Sequence, residues 1–162
     1  MARLRRVGMT GHQGLPPPTA RQVTDALGAT LQAYGPRFVG VTMLGPGADQ
    51  LFAEAVLKLG GDLHVVVPAR KYRDGFEDEQ AKRRYDQLFA RASHVDRLGF
   101  TESTEEAHMA GGRAVVDNAD VLVAVWDGKP ARGLGGTADV VAYAKQRGVA
   151  VDVIWPDDAS RD

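Results

Sequence analysis

The sequence contains no cysteine, which excludes disulfides, thiolate metal sites and cysteine nucleophiles, and fits a reducing compartment. It also lacks an excess of charge of either sign, since 20 Lys plus Arg stand against 21 Asp plus Glu for a formal charge of -1. With no global basic field to hold a polyphosphate backbone, nucleic acid is disfavoured as a partner. Nowhere do roughly 18 apolar residues run together, so no membrane partner is expected. The stretch from Met1 to Gly11 has basic residues but no apolar run of signal-peptide length, and the expected location is cytoplasmic. No internal repeat is evident. What is present, 162 residues with 44% apolar and 25% charged side chains, is the balance of one globular domain with its core between about residues 3 and 155.

Short β-rich runs alternate with helical patterns, which predicts crossover units and a mostly parallel sheet of about six strands covered by helices. The expected strands are Arg3 to Met9, Phe38 to Met43, Leu63 to Val67, His94 to Leu98, Val121 to Val125 and Ala150 to Trp155. Pro16, Pro17 and Pro18 predict an extended passage before a helix capped by Thr19 with Gln22, whose apolar face carries Val23, Leu27 and Leu31. A second helix carries Ala48, Leu51, Phe52, Ala55, Val56 and Leu59 at spacings of three and four. Seven basic and five acidic residues between Arg70 and Arg91 read as a solvated face around a helix burying Ala81, Tyr85, Leu88 and Phe89. Ser103 and Glu106 have capping-box spacing for a helix running to about Asn118. Its Gly111 and Gly112 cost about 1 kcal/mol each relative to Ala, which suggests that something approaches closely there. The run Val121 to Val125 is apolar throughout, as in a strand buried on both faces.

In an open parallel sheet the loops at the carboxyl ends of the strands share one edge, and ligands bind where strand order reverses. Three glycine-rich loops fall on that edge: Thr10-Gly11-His12-Gln13-Gly14, Gly45-Pro46-Gly47-Ala48-Asp49-Gln50, and Asp127 to Thr137. Glycine lets backbone amides approach an anion, and the following helix start adds donors and a favourable dipole. Gly133, Gly135, Gly136 and Thr137 therefore read as a phosphate loop or, alternatively, as a tight turn capped by Thr137. No Lys-Ser or Lys-Thr pair closes this loop as in a Walker A motif. The first loop lacks the GxGxxG fingerprint and no acidic residue follows the second strand as dinucleotide binding requires, so no cofactor is expected.

Other side chains on this edge each carry two readings. Asp49 suits a ribose hydroxyl or a positioned water, and equally an ordinary helix start. Gln50 can read a base edge or face solvent. Arg70 suits bidentate phosphate contact or a surface ion pair. Asp127 can bind ribose or form an Asp-Gly turn, and Trp126 can stack on a base or pack in the core. His12 can contact phosphate whether neutral or protonated. His64, His94 and His108 lack metal-ligand spacing, and no metal is expected. No Gly-x-Ser-x-Gly elbow is present.

The succession Gly8-Met9-Thr10-Gly11-His12-Gln13, then Gly45 to Arg70, then Val115 to Gly148 resembles the SLOG superfamily, the group joining the DNA-processing protein A domain to the LOG phosphoribohydrolases. The likeness runs from about Val7 to Trp155, and the Gly-Gly-Thr turn after the strand ending Trp126-Asp127-Gly128 is its most specific part. It implies a three-layer Rossmann-like α/β fold with helices on both faces, a nucleotide or nucleotide-derived small-molecule ligand at the carboxyl edge, and homo-oligomers, for which the last helix and Trp155 offer an apolar surface. The LOG motif Pro-Gly-Gly-x-Gly-Thr-x-x-Glu ends in a glutamate that serves cleavage of a nucleoside 5'-monophosphate. Here that position is Val140, with Asp139 beside it. The arginine of the family falls near Gly111, two residues from Arg113. The resemblance thus implies a nucleotide-type sensor or carrier. The alternative is an N-glycosidase releasing free base, with Asp49 or Asp139 as the catalytic carboxylate.

Overall fold

Alternation of apolar side chains along each strand sorts them onto two helical layers. The computed structural model describes residues 4–130, 133, 134, 136–157 and 159. Its elements run β1 (Arg5–Gly11), α1 (Pro17–Gln32), β2 (Phe38–Thr42), α2 (Ala48–Lys58), β3 (Asp62–Ala69), α3 (Glu79–Phe89), β4 (His94–Phe100), α4 (Glu105–Asp117), β5 (Val121–Val125), α5 (Thr137–Gln146) and β6 (Ala150–Ile154), with one 3-10 turn at Arg73–Gly75. All pairings are parallel, in the order β4-β3-β2-β1-β5-β6. Val7, Met9, Leu63, Val65, Val121 and Val123 enter the core shared with α1, α2 and α3. Val41, Val66 and Leu122 point the other way, toward Val115, Val116, Val140 and Ala144 of α4 and α5. The period of two along the strands therefore builds both layers.

Several boundaries differ from the sequence expectation, each for a local reason. Helix α1 begins at Pro17 rather than at a Thr19 cap, with Pro17 and Pro18 in the first turn, where amide donors have no intrahelical partner in any case. Helix α4 is capped by Thr104, whose Oγ1 accepts the Ala107 amide at 3.1 Å. Ser103 is diverted instead to His108 Nε2 at 2.7 Å. Strand β3 runs through Pro68 to Ala69, and its register with β4 shifts between Val67 and Ala69, an irregularity that accommodates a residue with no amide to donate. Trp155 lies just past β6. Arg3, Ala131, Arg132, Gly135 and most of the tail after Asp157 lie outside the described residues.

The paired glycines of α4 admit close neighbours on two sides. A Cβ at Gly111 would collide with Met43 Sδ, and one at Gly112 would sit 2.6 Å from Val140 Cγ2. Helix α4 thereby packs against the end of β2 on one side and α5 on the other.

Candidate functional site

Strand β1 lies between β2, which follows it in the chain, and β5, which arrives by a long crossover. Helix connections leave in opposite directions on either side of this junction, and the crevice there opens at the carboxyl edge. A cavity of about 330 Å³ occupies it. Thr10, Gly11, His12 and Gln13 line it from the end of β1, Asp49 from the first turn of α2, and Gly133, Gly136 and Thr137 from the turn into α5. Helix α5 starts behind Gly136 with no described side chain capping its first turn. Its amino end thus presents backbone donors to the cavity.

Asp49 is a strongly perturbed acid of the site. Its side chain is turned back under the Gly45 loop, where Oδ2 accepts the Gly45 amide at 3.0 Å. Burial pushes its carboxyl up to about 7, against the opposing pull of that hydrogen bond. The loop geometry depends on Gly47, which has φ +88° and whose missing Cβ leaves room for the Gln13 carbonyl. A methyl at Gly45 would lie 2.9 Å from Tyr72 Oη, 3.2 Å from Asp49 Oδ2 and 3.4 Å from Gln13 Nε2. Three polar groups therefore converge on one small gap. Burial, then the Asp49 charge and Tyr85, hold the Tyr72 phenol well above its ordinary range. The His108 ring meets Tyr72 edge-on at 5.6 Å, and burial lowers its pKa against the opposing pull of Glu105.

Gln13, Tyr72 and His108 also border a second cavity of about 700 Å³, which Gly47 and Gln50 line together with Arg84. Gln50 is buried rather than solvent-facing, and its amide donates to the carbonyls of Leu44 at 3.3 Å and Ala81 at 3.0 Å. This ties the β2–α2 loop to α3.

His12 lines the first cavity from a buried position. The Asp127 amide donates to His12 Nε2 at 3.0 Å, and Thr137 Oγ1 lies 3.5 Å from Nδ1. The Asp127 carboxylate approaches Nε2 at 3.3 Å and also accepts the Lys129 amide at 2.9 Å, closing an Asx turn over Gly128. Trp126 Nε1 donates to the Lys129 carbonyl at 2.8 Å, whereas the ring packed edge-on against His12 is Trp155, at 5.5 Å. Trp126, Asp127, Arg70 and Asp139 line neither cavity. Arg70 is exposed beyond β3. Its amide donates to the Phe100 carbonyl at 2.9 Å.

The positions corresponding to the LOG glutamate and arginine are packing positions here. Val140 is 1% exposed against Gly112, and Gly111 receives Met43. Arg113 lies over the Tyr143 ring at 5.6 Å, outside both cavities. Neither end of the LOG catalytic pair is reproduced.

Sequence reasoning missed five residues that line the first cavity: Met43, Tyr72, Glu105, His108 and Leu134. Glu105 matters most, because its carboxylate lies against the glycine turn, with Oε2 accepting the Leu134 amide at 3.4 Å. Helical spacing puts Glu105 and His108 on one face of α4, a signal visible in the sequence. Nothing in the sequence tells that this face meets the turn before α5. Among the described residues no Lys or Arg lines this cavity.

No protein-family model matches the sequence, and no curated protein matches it. Solved structures do match over nearly the whole chain. DNA processing protein A from Streptococcus pneumoniae aligns with 96% of this chain and 52% of its own, at 19% identity and a TM-score of 0.70. The chain thus spans about half the length of that relative. DNA processing protein A from Helicobacter pylori, described for its single-stranded DNA binding mode, aligns at 17% identity over 97% of this chain and 68% of its own, with a TM-score of 0.68. The molybdenum cofactor binding protein from Rippkaea orientalis aligns at 19% identity over 97% of this chain and 80% of its own, with a TM-score of 0.61. These likenesses show a shared Rossmann-like α/β fold.

Proposed function

We propose that this chain, with its SLOG-type fold, binds a nucleotide or nucleotide derivative in the cavity between β1 and α5 and does not turn it over. The observation that carries the reading is the start of α5, which no side chain caps among the described residues, at a cavity on the strand-order reversal lined by Gly136 and Thr137. The phosphate meets the α5 amides and Thr137 Oγ1, with Thr10 and Gly11 closing the other side. Asp49 and Gln13 are the polar groups within the same cavity for sugar hydroxyls. The neighbouring cavity at Gln50 and Arg84 has room for the base. Asp127 supports His12 from behind, and Arg70 has no part in this reading. The Rippkaea orientalis protein, described as binding the molybdenum cofactor, supports a small-molecule ligand.

One observation favours a second reading, N-glycosidic cleavage. Asp49 lines the cavity and its carboxyl is pushed up to about 7, the range of a group that can give or take a proton. Incubation with nucleoside monophosphates separates the two. A rise in melting temperature and a calorimetric isotherm without free base on chromatography support binding alone. Base release abolished in Asp49→Asn supports the hydrolase. Thr137→Val removes one hydroxyl without changing side-chain shape and weakens binding about fivefold to tenfold if the phosphate sits at α5. Equal affinity in wild type and Thr137→Val overturns that placement.

The remaining expectations belong to the same proposal. Homo-oligomers fit the edge strand β6, where Val153 is 49% exposed, and light scattering reads the mass directly. Among the described residues no helix is long and apolar enough to cross a membrane.

A further inference from the structure

The opposite edge of the sheet carries a cluster of a different chemistry. His64 and His94 are far apart in sequence, but the parallel register of β3 and β4 makes them direct partners. Their rings meet edge-on with centroids 4.4 Å apart. Asp96, two residues along β4, turns back to both. One carboxylate oxygen lies 2.8 Å from His64 Nε2 and the other 3.0 Å from His94 Nε2. One donor atom from each of the three residues falls within 4.8 Å of the others. The cluster borders a cavity of about 560 Å³, which Arg6 and Asp62 also line.

We propose that His64, His94 and Asp96 form a binding site for a zinc-class divalent transition-metal ion, pinning edge strand β4 to β3. Two imidazoles and one carboxylate are the borderline donors such ions take, leaving a fourth position for water. Bonds of about 2.0–2.2 Å in a tetrahedral shell put neighbouring donors roughly 3.3–3.6 Å apart. The present spacings are close enough for rotation of side chains alone to supply this. His64 is held within the β3 strand with its side chain 5% exposed, while His94 is 62% exposed on the edge strand, so one ligand is fixed and the ion has an open approach. This site does not depend on the nucleotide reading, and it stands at the amino end of the strands rather than the carboxyl end.

One residue sets the affinity. Arg6 Nη2 lies 2.5 Å from His64 Nδ1, and its Nε donates to the Asn118 carbonyl at 2.7 Å. A guanidinium only donates, so this contact favours the His64 tautomer protonated at Nε2, the atom that faces Asp96. An ion bound at Nε2 moves that proton to Nδ1, against Arg6. The guanidinium is therefore a brake on metal binding, and a residue able to accept from Nδ1–H releases it.

Chelator-treated full chain is titrated with zinc chloride by calorimetry, and with cobalt(II) followed by visible absorption. One equivalent is expected to bind, with the absorption bands of a tetrahedral cobalt centre and a rise in melting temperature. His94→Ala, on the exposed edge, and Asp96→Asn each abolish the saturable isotherm and the bands. Arg6→Gln tightens binding by about tenfold or more. Absence of a one-to-one isotherm in both wild type and Arg6→Gln overturns the site, as does binding that survives in His94→Ala and Asp96→Asn.

Discussion

The Glu105 carboxylate accepts the backbone amide of Leu134 at 3.4 Å, and its Oε1 would lie 2.7 Å from a Cβ on Gly133. A protein carboxylate thus rests on the turn that the proposed function gives to a ligand anion. A phosphate arriving there must displace this carboxylate or sit beside it at an electrostatic cost. Glu105→Gln keeps the size and an acceptor oxygen while removing the charge. The variant is expected to bind nucleoside monophosphates about tenfold more tightly, corresponding to about 1.4 kcal/mol, and to leave uncharged nucleosides unchanged. Calorimetry on the paired ligands checks it, and equal gains for nucleoside and nucleotide would place the phosphate elsewhere.

Val140 invites an attempt to restore the LOG glutamate, and the packing argues against it. The side chain fills the space left by Gly112 and belongs to the core under α4 and α5. Val140→Glu buries a carboxylate in this apolar packing and is expected to lower stability by several kcal/mol without producing base release. Gly112→Val overpacks the same contact and costs about 1–3 kcal/mol. Chemical denaturation followed by circular dichroism reads both. A stable Val140→Glu variant that releases base would reverse the argument.

How far the sequence discloses the molecule follows from what each signal measures. The strands were legible as short β-rich runs between helical patterns, and Val121 to Val125 is apolar throughout because Val123 and Leu122 pack into opposite layers. The parallel sheet followed from the strand–helix succession. The glycine pair Gly111-Gly112 announced close approach but not the identity of Met43 and Val140, since close approach carries no information about the partner. Of the candidate residues, those in the loops after β1 and β2 and before α5 meet at one edge because the topology gathers strand ends. Arg70 and Trp126 do not join them, as a loop position fixes neither side-chain direction nor the path after the strand. Tyr72, Glu105 and His108 were hidden because they reach the cavity from α4 and the loop after β3, elements whose packing depends on long-range contacts. His64 and His94 look unrelated in sequence for the same reason, since only strand register makes them partners.

Single-stranded DNA provides a discriminating test against the longer structural relatives. The charge balance of 20 basic to 21 acidic residues and a cavity lined by Glu105 and, among the described residues, by no Lys or Arg predict negligible binding of an oligothymidylate even at low ionic strength. Fluorescence anisotropy at about 20 mM and about 150 mM salt checks this. A salt-sensitive isotherm in the micromolar range would move nucleic acid into the list of ligands.

The buried Asp49 makes stability depend on pH in a sense opposite to that of most carboxylates. Its folded-state pKa of about 7 lies above the reference of 3.8, so the folded chain holds a proton that the unfolded chain releases between these values. The contribution is fully present below about pH 4 and is lost as pH rises through about 7, after which it changes no further. A displacement of about three pKa units corresponds to roughly 4 kcal/mol. Asp49→Asn keeps an oxygen for the Gly45 amide and carries no charge, so it is expected to remove this slope and to be the more stable protein at pH 8. Denaturant melts of both proteins between pH 5 and 8.5 measure the difference. Parallel pH profiles would mean that the carboxylate stays ionised in the fold, and the acid–base capacity assigned to the cavity would fall with it.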